Sequence, residues 1–273
     1  MNKFFIALAV LLAVINGCTN NPIPSETETA VSAASTPVIN YAVEQFYPHD
    51  TSYYTEGLLV HDGRLIESTG SPQDLPATRS MIGIIDLTTG KMDKKIEIDR
   101  SKYFGEGITV LNNKLYQLTY TTQVGFIYDL QTFSKLGEFT YNTKQGWGLT
   151  TDGKHLIMDD GTDVLTFLDP AGMKPVRSLA VSENGLPVDK LNELEYIRGY
   201  IYANVWQTDF IVKIDPANGK VVARLDLSSL AFEARNKFPR ADVLNGIAYD
   251  STADKIYVTG KFWPNIYEVR FAH

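Results

Sequence analysis

Leu191–Lys220 reads LNELEYIRGYIYANVWQTDFIVKIDPANGK and parses as one supersecondary unit. Leu194 and Tyr196 begin an apolar strand, Arg198-Gly199 turns the chain and Tyr200–Val205 runs back. Gln207-Thr208 turns it again, Phe210–Ile214 forms a third strand, and Asp215-Pro-Ala-Asn-Gly219 closes the unit. Short apolar runs bounded by tight-turn residues mark antiparallel strands joined by hairpins. Asn192, Glu193, Asn204 and Trp206 fall at strand ends, where a propeller-like sheet exposes functional groups to a central channel.

The unit recurs. Equivalent anchors stand at Glu56-Gly57-Leu58, Glu106-Gly107-Ile108, Trp147-Gly148-Leu149, Asn192-Glu193-Leu194 and Asn245-Gly246-Ile247, spaced by about 41 to 53 residues, the length of one four-stranded blade. Second strands follow at Arg64-Leu-Ile, Lys114-Leu-Tyr, His155-Leu-Ile, Tyr200-Ile-Tyr and Lys255-Ile-Tyr, and third strands at 82–87, 125–130, 164–169, 210–215 and 265–271. This pattern predicts an all-β fold, a five-bladed β-propeller over residues 39–273. Ile39–Phe46 alternates like a strand yet precedes the first anchor, while the last repeat runs out at His273 after three strands. The N-terminal strand is therefore expected to complete the last blade beside residues 265–271, closing the ring and protecting its edges. Leu227–Arg235 has helical spacing; Phe232 and Lys237-Phe238-Pro239-Arg240 either shape a pocket rim or form a solvated connector.

Residues 1–18 have the layout of a targeting segment: Lys3, an apolar run from Phe4 to Ile15, then Asn16-Gly17-Cys18. The run is short for a membrane span. Cys18, after a small residue and an apolar run, resembles a bacterial lipobox, which implies lipidation and anchoring in the cell envelope; an ordinary signal peptide is the alternative. It is the single cysteine, so no intrachain disulfide forms. Residues 19–38, rich in Ser, Thr, Ala, Pro and Glu, read as a disordered tether. The formal charge of −7 and the lack of Lys/Arg clusters argue against a nucleic-acid surface.

Motifs for other chemistries are missing. The histidines, His49, His61, His155 and His273, have no ligand spacing, and Asp159-Asp160 with Asp163 lacks the glycine and terminal glutamate of a calcium loop. Asp159-Asp160 reads as turn chemistry. No GxSxG, P-loop or dinucleotide motif is present.

Eight segments in order resemble the plant and bacterial glutamine cyclotransferases: Tyr47-Pro-His-Asp50, Tyr54-Thr-Glu-Gly-Leu58, Phe104-Gly-Glu-Gly-Ile-Thr109, Gly146-Trp-Gly-Leu149, Leu191-Asn-Glu-Leu-Glu195, Ala203-Asn-Val-Trp206, Val243-Leu-Asn-Gly-Ile-Ala248, and Thr259-Gly-Lys261 with Trp263-Pro264. The similarity spans about residues 40–271. It implies a five-bladed propeller that converts the N-terminal glutamine of a peptide to pyroglutamate and releases ammonia, a fold unrelated to the zinc-dependent animal enzymes. One position departs from the family pattern: Glu56 stands where the first-blade motif, Phe-Thr-Gln-Gly-Leu, carries glutamine.

The implied reaction can be set against the residues. The substrate's α-amine attacks its own γ-amide carbon, so no Ser or Cys nucleophile is required. An acid for the leaving ammonia, a relay for the amine proton and donors for the oxyanion are required, and one carboxyl group can act as acid and base in turn. By resemblance Glu106 is the catalytic acid-base, a glutamate that merely hydrogen-bonds a neighbouring blade being the alternative. Lys261, ending a second strand beside Gly260 and Trp263, either stabilises the oxyanion, fixes the amide oxygen or is a surface lysine. No cofactor and no metal is expected. The substrate-binding set is Tyr54, Glu56, Trp147, Asn192, Trp206, Asn245 and Trp263. Trp147, Trp206 and Trp263 are all the tryptophans of the chain and would wall a small neutral side chain, although some of them could equally fill the core. Asn192 and Asn245 either bind substrate or satisfy strand ends. The expected partners are peptides or proteins with N-terminal Gln and, through Cys18, a membrane; the protein is expected to be a monomer. Two other readings remain open, a non-catalytic propeller lipoprotein that binds peptide or glycan, and a metal-dependent lactonase.

Overall fold

The computed structural model describes residues 35–273. The leader, Cys18 and most of the expected tether lie outside them. Strand β1 (Tyr41–Pro48) comes first. Blade one follows as β2 (Thr55–His61), β3 (Arg64–Thr69), β4 (Met81–Asp86) and β5 (Lys91–Glu97), and blade two as β6 (Gly105–Leu111), β7 (Lys114–Thr119), β8 (Val124–Asp129) and β9 (Lys135–Thr140). Blade three is β10 (Leu149–Thr151), β11 (Leu156–Met158), β12 (Val164–Asp169) and β13 (Lys174–Ala180). A small hairpin, β14 (Ser182–Glu183) with β15 (Leu186–Pro187), precedes blade four: β16 (Leu191–Ile197), β17 (Tyr200–Val205), β18 (Phe210–Ile214) and β19 (Val221–Asp226). Helix α1 (Ser228–Lys237) leads into blade five, β20 (Leu244–Asp250), β21 (Lys255–Gly260) and β22 (Asn265–Phe271).

Each blade is a four-stranded antiparallel sheet, and in blades one to four the strands lie in chain order. In blade five the order is β1-β22-β21-β20, with Tyr41 opposite Phe271 and Pro48 opposite Asn265. The N-terminal strand thus closes the ring as its alternation predicts. The expected tether does not reach residue 38, however. Thr36 is buried, the Arg224 N–H donates to the Pro37 carbonyl at 3.0 Å, and the Ile39 N–H donates to the Arg224 carbonyl at 2.8 Å. The approach to β1 therefore runs along the outer strand of blade four.

A shared turn builds the outer hairpins of blades one to four. Each third strand ends in an aspartate, Asp86, Asp129, Asp169 or Asp215, whose Oδ1 accepts the N–H two residues on, from Thr88, Gln131, Ala171 and Ala217. This side-chain mimic of a backbone turn is what Asp supplies most readily. Blade five lacks the turn because no fourth strand follows it in the chain.

Burial falls from axis to rim. Strand β2 is buried from Thr55 to Leu59, while β5 shows no buried residue. Inner strands are flanked by neighbouring blades on both faces, so they cannot show the half-polar alternation of an outer strand. Helix α1 buries Leu230, Ala231 and Ala234 against blades four and five, and Phe232 is exposed, away from any rim.

Candidate active site

The inner strands stand side by side around the axis in the order β2, β6, β10, β16, β20. In four of them the pairing with the second strand slips at the anchor, between Thr55 and Gly57, Gly105 and Ile108, Leu191 and Leu194, and Leu244 and Ile247. An extra residue in one strand of a pair bends that strand and re-aims a side chain. The residues caught in these bulges are Glu56, Glu106-Gly107, Asn192-Glu193 and Asn245-Gly246. The repeated motif is therefore a repeated bulge at the channel mouth.

The anchor glycines let the inner strands touch. A Cβ on Gly107 would lie 2.5 Å from the Trp147 carbonyl oxygen, and one on Gly148 only 2.0 Å from that of Asn192. In blade four a glutamate takes the glycine's place. Its carboxylate, from Glu193, accepts the Leu58 N–H at 3.1 Å and the Ile247 N–H at 2.8 Å, and Glu195 accepts the Tyr249 N–H at 2.8 Å. Buried N–H groups of blades one and five thus find side-chain acceptors where no strand pairs with them.

Glu56, Glu106, Asn192 and Lys261 reach a cavity of about 450 Å³. Its wall is a continuous aromatic arc: Tyr54 to Phe104 (centroids 6.1 Å apart), Phe104 to Tyr120 (5.8 Å), Tyr120 to Trp147 (6.5 Å) and Trp147 to Trp206 (5.5 Å, interplanar angle 84°). Ser71, Gln73, Arg100 and Lys102 line its mouth. Of the residues predicted from the sequence, Tyr54, Glu56, Glu106, Trp147, Asn192, Trp206 and Lys261 come together here.

Asn245 and Trp263 do not line the cavity. Asn245 is fully buried and donates through Nδ2 to the Thr55 carbonyl (2.9 Å) and to Glu56 Oε2 (3.2 Å), so it holds the glutamate. Trp263 has no exposed surface; its ring lies against Gly260, where a Cβ would meet Nε1 at 2.3 Å, and Nε1 donates to the Asp242 carbonyl. It fills the core of blade five because Gly260 opens a slot beneath the site, which corrects its reading as a substrate wall. Asp159 also departs from expectation. Asp160 makes the turn, accepting from Thr162, whereas Asp159 is buried and caps the Gly148 N–H at 3.2 Å.

Lys261 and Glu56 form a buried ion pair, with Nζ 2.8 Å from each carboxylate oxygen. The ammonium also sits 4.4 Å from the centroid of the Tyr54 ring. Burial opposes the charge on Lys261, but Glu56, Tyr54 and Glu106 hold its pKa above the ordinary value. Burial pushes Glu56 up, to about 7, against the pull of Lys261. Glu106 is pushed well above the usual carboxylate range, first by burial and then by the charge of Glu56, with Lys261 opposing. Burial and the neighbouring carboxylate thus favour the acid form of Glu106, against the pull of the Lys261 cation. Asn192 Oδ1 is buried and has no hydrogen-bond partner among the described residues.

Sequence reasoning missed Phe104 and Tyr120. Phe104 was within reach, since aromatic-X-Glu-Gly-apolar occurs at both Tyr54–Leu58 and Phe104–Ile108. It also missed the support behind Thr55. There Thr55 Oγ1 donates to Glu67 Oε1 (2.7 Å), and His49 Nε2 lies 3.0 Å from Glu67 Oε2 while its Nδ1 lies 2.9 Å from the Trp263 carbonyl. Thr55 and Glu67 belong to neighbouring strands of blade one, but the contact of His49 with Trp263, 214 residues away, forms only where blades one and five close. Among the described residues no group of three His, Cys, Asp or Glu side chains is placed to hold a metal ion.

A family model described as glutamine cyclotransferase matches residues 10–271. A glutaminyl-peptide cyclotransferase of Arabidopsis thaliana is 42% identical over 226 residues, which is 82% of this chain and 69% of that protein. The crystal structure of Myxococcus xanthus glutaminyl cyclase matches with a TM-score of 0.77 at 34% identity, covering 86% of this chain and 98% of that one. The chain belongs to the glutamine cyclotransferase family.

Proposed function

We propose that this protein is a glutaminyl-peptide cyclotransferase that closes the N-terminal glutamine of a peptide or protein to pyroglutamate, releases ammonia and uses no metal. The observation that carries the reading is the buried set of Glu106, Lys261 and Glu56 at the floor of an aromatic cavity. Trp147 and Trp206, meeting edge to face, enclose the glutamine side chain with Tyr54 and exclude water. Asn192 Oδ1 accepts a hydrogen bond from the α-amine, the partner it otherwise lacks.

The α-amine nitrogen attacks the γ-amide carbon, and the new C–N bond closes the ring. Negative charge moves onto the amide oxygen, where the Lys261 ammonium stabilises it in place of a Lewis acid. Glu106, raised into its acid form, gives its proton to the departing amide nitrogen, which leaves as ammonia. The Glu106 carboxylate then takes the proton shed by the ring nitrogen, and the site is restored. Glu56 and Asn245 fix Lys261 through the contacts already described. The protein acts as a monomer in the cell envelope, anchored through lipidated Cys18; support for the anchor is the apolar run and cysteine of the leader.

The test is mass spectrometry of a Gln-initiated peptide together with ammonia release, run in strong chelator. Turnover is expected to persist, and Glu106→Gln, which is isosteric but cannot pass a proton, is expected to lose roughly 100-fold or more in kcat while keeping its melting temperature. Loss of activity in chelator with recovery on adding zinc would overturn the metal-free route. A folded Glu106→Gln with near-normal kcat would overturn the assignment of the acid.

A further inference from the structure

Beside the active-site cavity, on the far side of the Pro72–Thr78 loop, lies a second cavity of about 280 Å³ lined by Leu75, Pro76, Ala77 and Phe262, with Thr51, Ser52, Thr78 and Arg240 completing it. The two cavities share their partition. Pro72 and Gln73 line the first, Leu75 to Thr78 the second, and Tyr54 of the first packs edge to face on Phe262 of the second, centroids 5.2 Å apart.

We propose that this second cavity is the subsite for the substrate chain beyond the cyclised glutamine, accepting an apolar side chain from the second to fourth residue and, through Arg240, a neighbouring carboxylate; the proposal rests on the cyclotransferase reading above.

The site is built, not incidental. The Leu75 N–H donates to the Pro72 carbonyl (3.1 Å), and Thr78 closes on the Leu75 carbonyl through both its N–H (3.0 Å) and its Oγ1 (2.7 Å). Two guanidinium groups then grip the loop from outside: Arg79 donates to the Pro76 carbonyl (2.8 Å), and Arg100 to the carbonyls of Pro76 (2.9 Å) and Pro72 (3.0 Å). A loop tied at so many carbonyls presents Leu75, Pro76 and Ala77 without needing to be ordered by a ligand, which is how pre-organisation gains affinity.

The opposite wall is held in an unusual conformation. Phe262 has φ +61°, which a bulky residue adopts only when its surroundings impose it. Its N–H donates to the Tyr53 carbonyl (2.8 Å), and the preceding Lys261 N–H donates to the Val243 carbonyl (3.0 Å). This left-handed step sends Lys261 into the catalytic cavity and Phe262 into the neighbouring one, so a single backbone feature serves both.

Arg240 gives the cavity its charge. Its guanidinium rests on the Phe238 ring with 5.1 Å to the centroid. The two cavities meet at the Tyr54–Phe262 contact, whose ring centroids are 5.2 Å apart; two extended residues cover about 7 Å, so the second to fourth residues of the substrate are the ones tested for entry.

The experiment measures kcat/KM for pyroglutamate formation on Gln-Ala amide and on pentapeptides beginning with Gln, in which one Leu is moved through positions two to four and the residue after it is Asp or Lys. Wild type is expected to turn over Gln-Ala amide, to gain roughly 10-fold when Leu occupies its best position, and to prefer Asp to Lys after it. Ala77→Asp is expected to leave Gln-Ala amide unchanged and to abolish the Leu gain; Arg240→Glu, to leave it unchanged and to invert the Asp/Lys preference. The dipeptide rate also reports that each variant is folded. A flat wild-type panel, or Ala77→Asp with the Leu gain intact, would overturn the subsite while the cyclotransferase reading stands. Failure of wild type to cyclise any Gln peptide would overturn both.

Discussion

Glu56 shows how one substituent retunes a site. An amide at this position would leave Lys261 with its full charge acting on Glu106; a carboxylate 2.8 Å from Nζ neutralises that charge and adds its own repulsion. Both changes raise the pKa of Glu106. Glu56→Gln keeps an acceptor for Lys261 and reverses both effects, so Glu106 should ionise at lower pH. In the proposed mechanism Glu106 acts in its acid form, so its deprotonation would set the alkaline limb of the kcat/KM profile. That limb, and with it the optimum, is expected to move downward in Glu56→Gln. A profile that superposes on wild type would mean that the two carboxyl groups are uncoupled.

At the level of the strand, the anchor bulge and its glycine are one device. Gly148 meets the Asn192 carbonyl so closely that a methyl group would sit 2.0 Å from the oxygen, a backbone atom that cannot swing aside, with the Leu194 side chain at 2.8 Å. Gly148→Ala is expected to force blades three and four apart, costing about 1–3 kcal/mol and lowering the melting temperature by several degrees. It should also displace Asn192 and raise KM. Gly137→Ala on β9, where a Cβ meets nothing within 4 Å, is the control and should melt like wild type. The outer hairpins follow a rule that is visible in the sequence, Asp86, Asp129, Asp169 and Asp215 each opening a five-residue turn; such turns need only neighbours in the chain, which is why they can be read in advance.

For the molecule as a whole, ring closure concentrates carboxyl groups where water is scarce. Burial raises the pKa of Glu56 to about 7, of Glu195 to about 8, and of Glu106, Asp159 and Glu193 well above the ordinary range. A carboxyl group with a raised folded-state pKa keeps its proton when the unfolded chain has lost it. Its contribution is therefore complete below the unfolded value of 4.5 and is lost as pH rises through the folded one. His49, raised by Glu67 against the effect of burial, acts in the same direction. The turn aspartates Asp86, Asp99 and Asp129 have lowered pKa values and act the other way, losing their contribution only as pH falls below about 4. Stability is expected to be highest on the acid side of neutrality and the melting temperature to fall between pH 5 and pH 8. A melting temperature that rises from pH 5 to 8 would show that these groups are ionised in the fold.

Hydrophobic alternation and turn chemistry act between near neighbours and repeat with the blade, so the number of blades, the turns of blade four and the closing role of residues 39–46 could be read from the sequence alone. It also placed Glu56, Glu106, Trp147, Asn192, Trp206 and Lys261 at equivalent strand ends, and equivalent ends of a closed ring must face one channel. Which of these residues touch follows from how the blades pack against one another. Trp263 turned inward because Gly260 leaves a slot under it, Asn245 became a support for Glu56 instead of a cavity wall, and Glu193 bridged blades one and five. The Glu56–Lys261 pair joins residues 205 positions apart, and the His49–Glu67–Thr55 relay forms behind it. Such contacts depend on side chains from separate segments meeting at hydrogen-bond distance, 2.7 to 3.0 Å, which no periodicity in a single chain encodes.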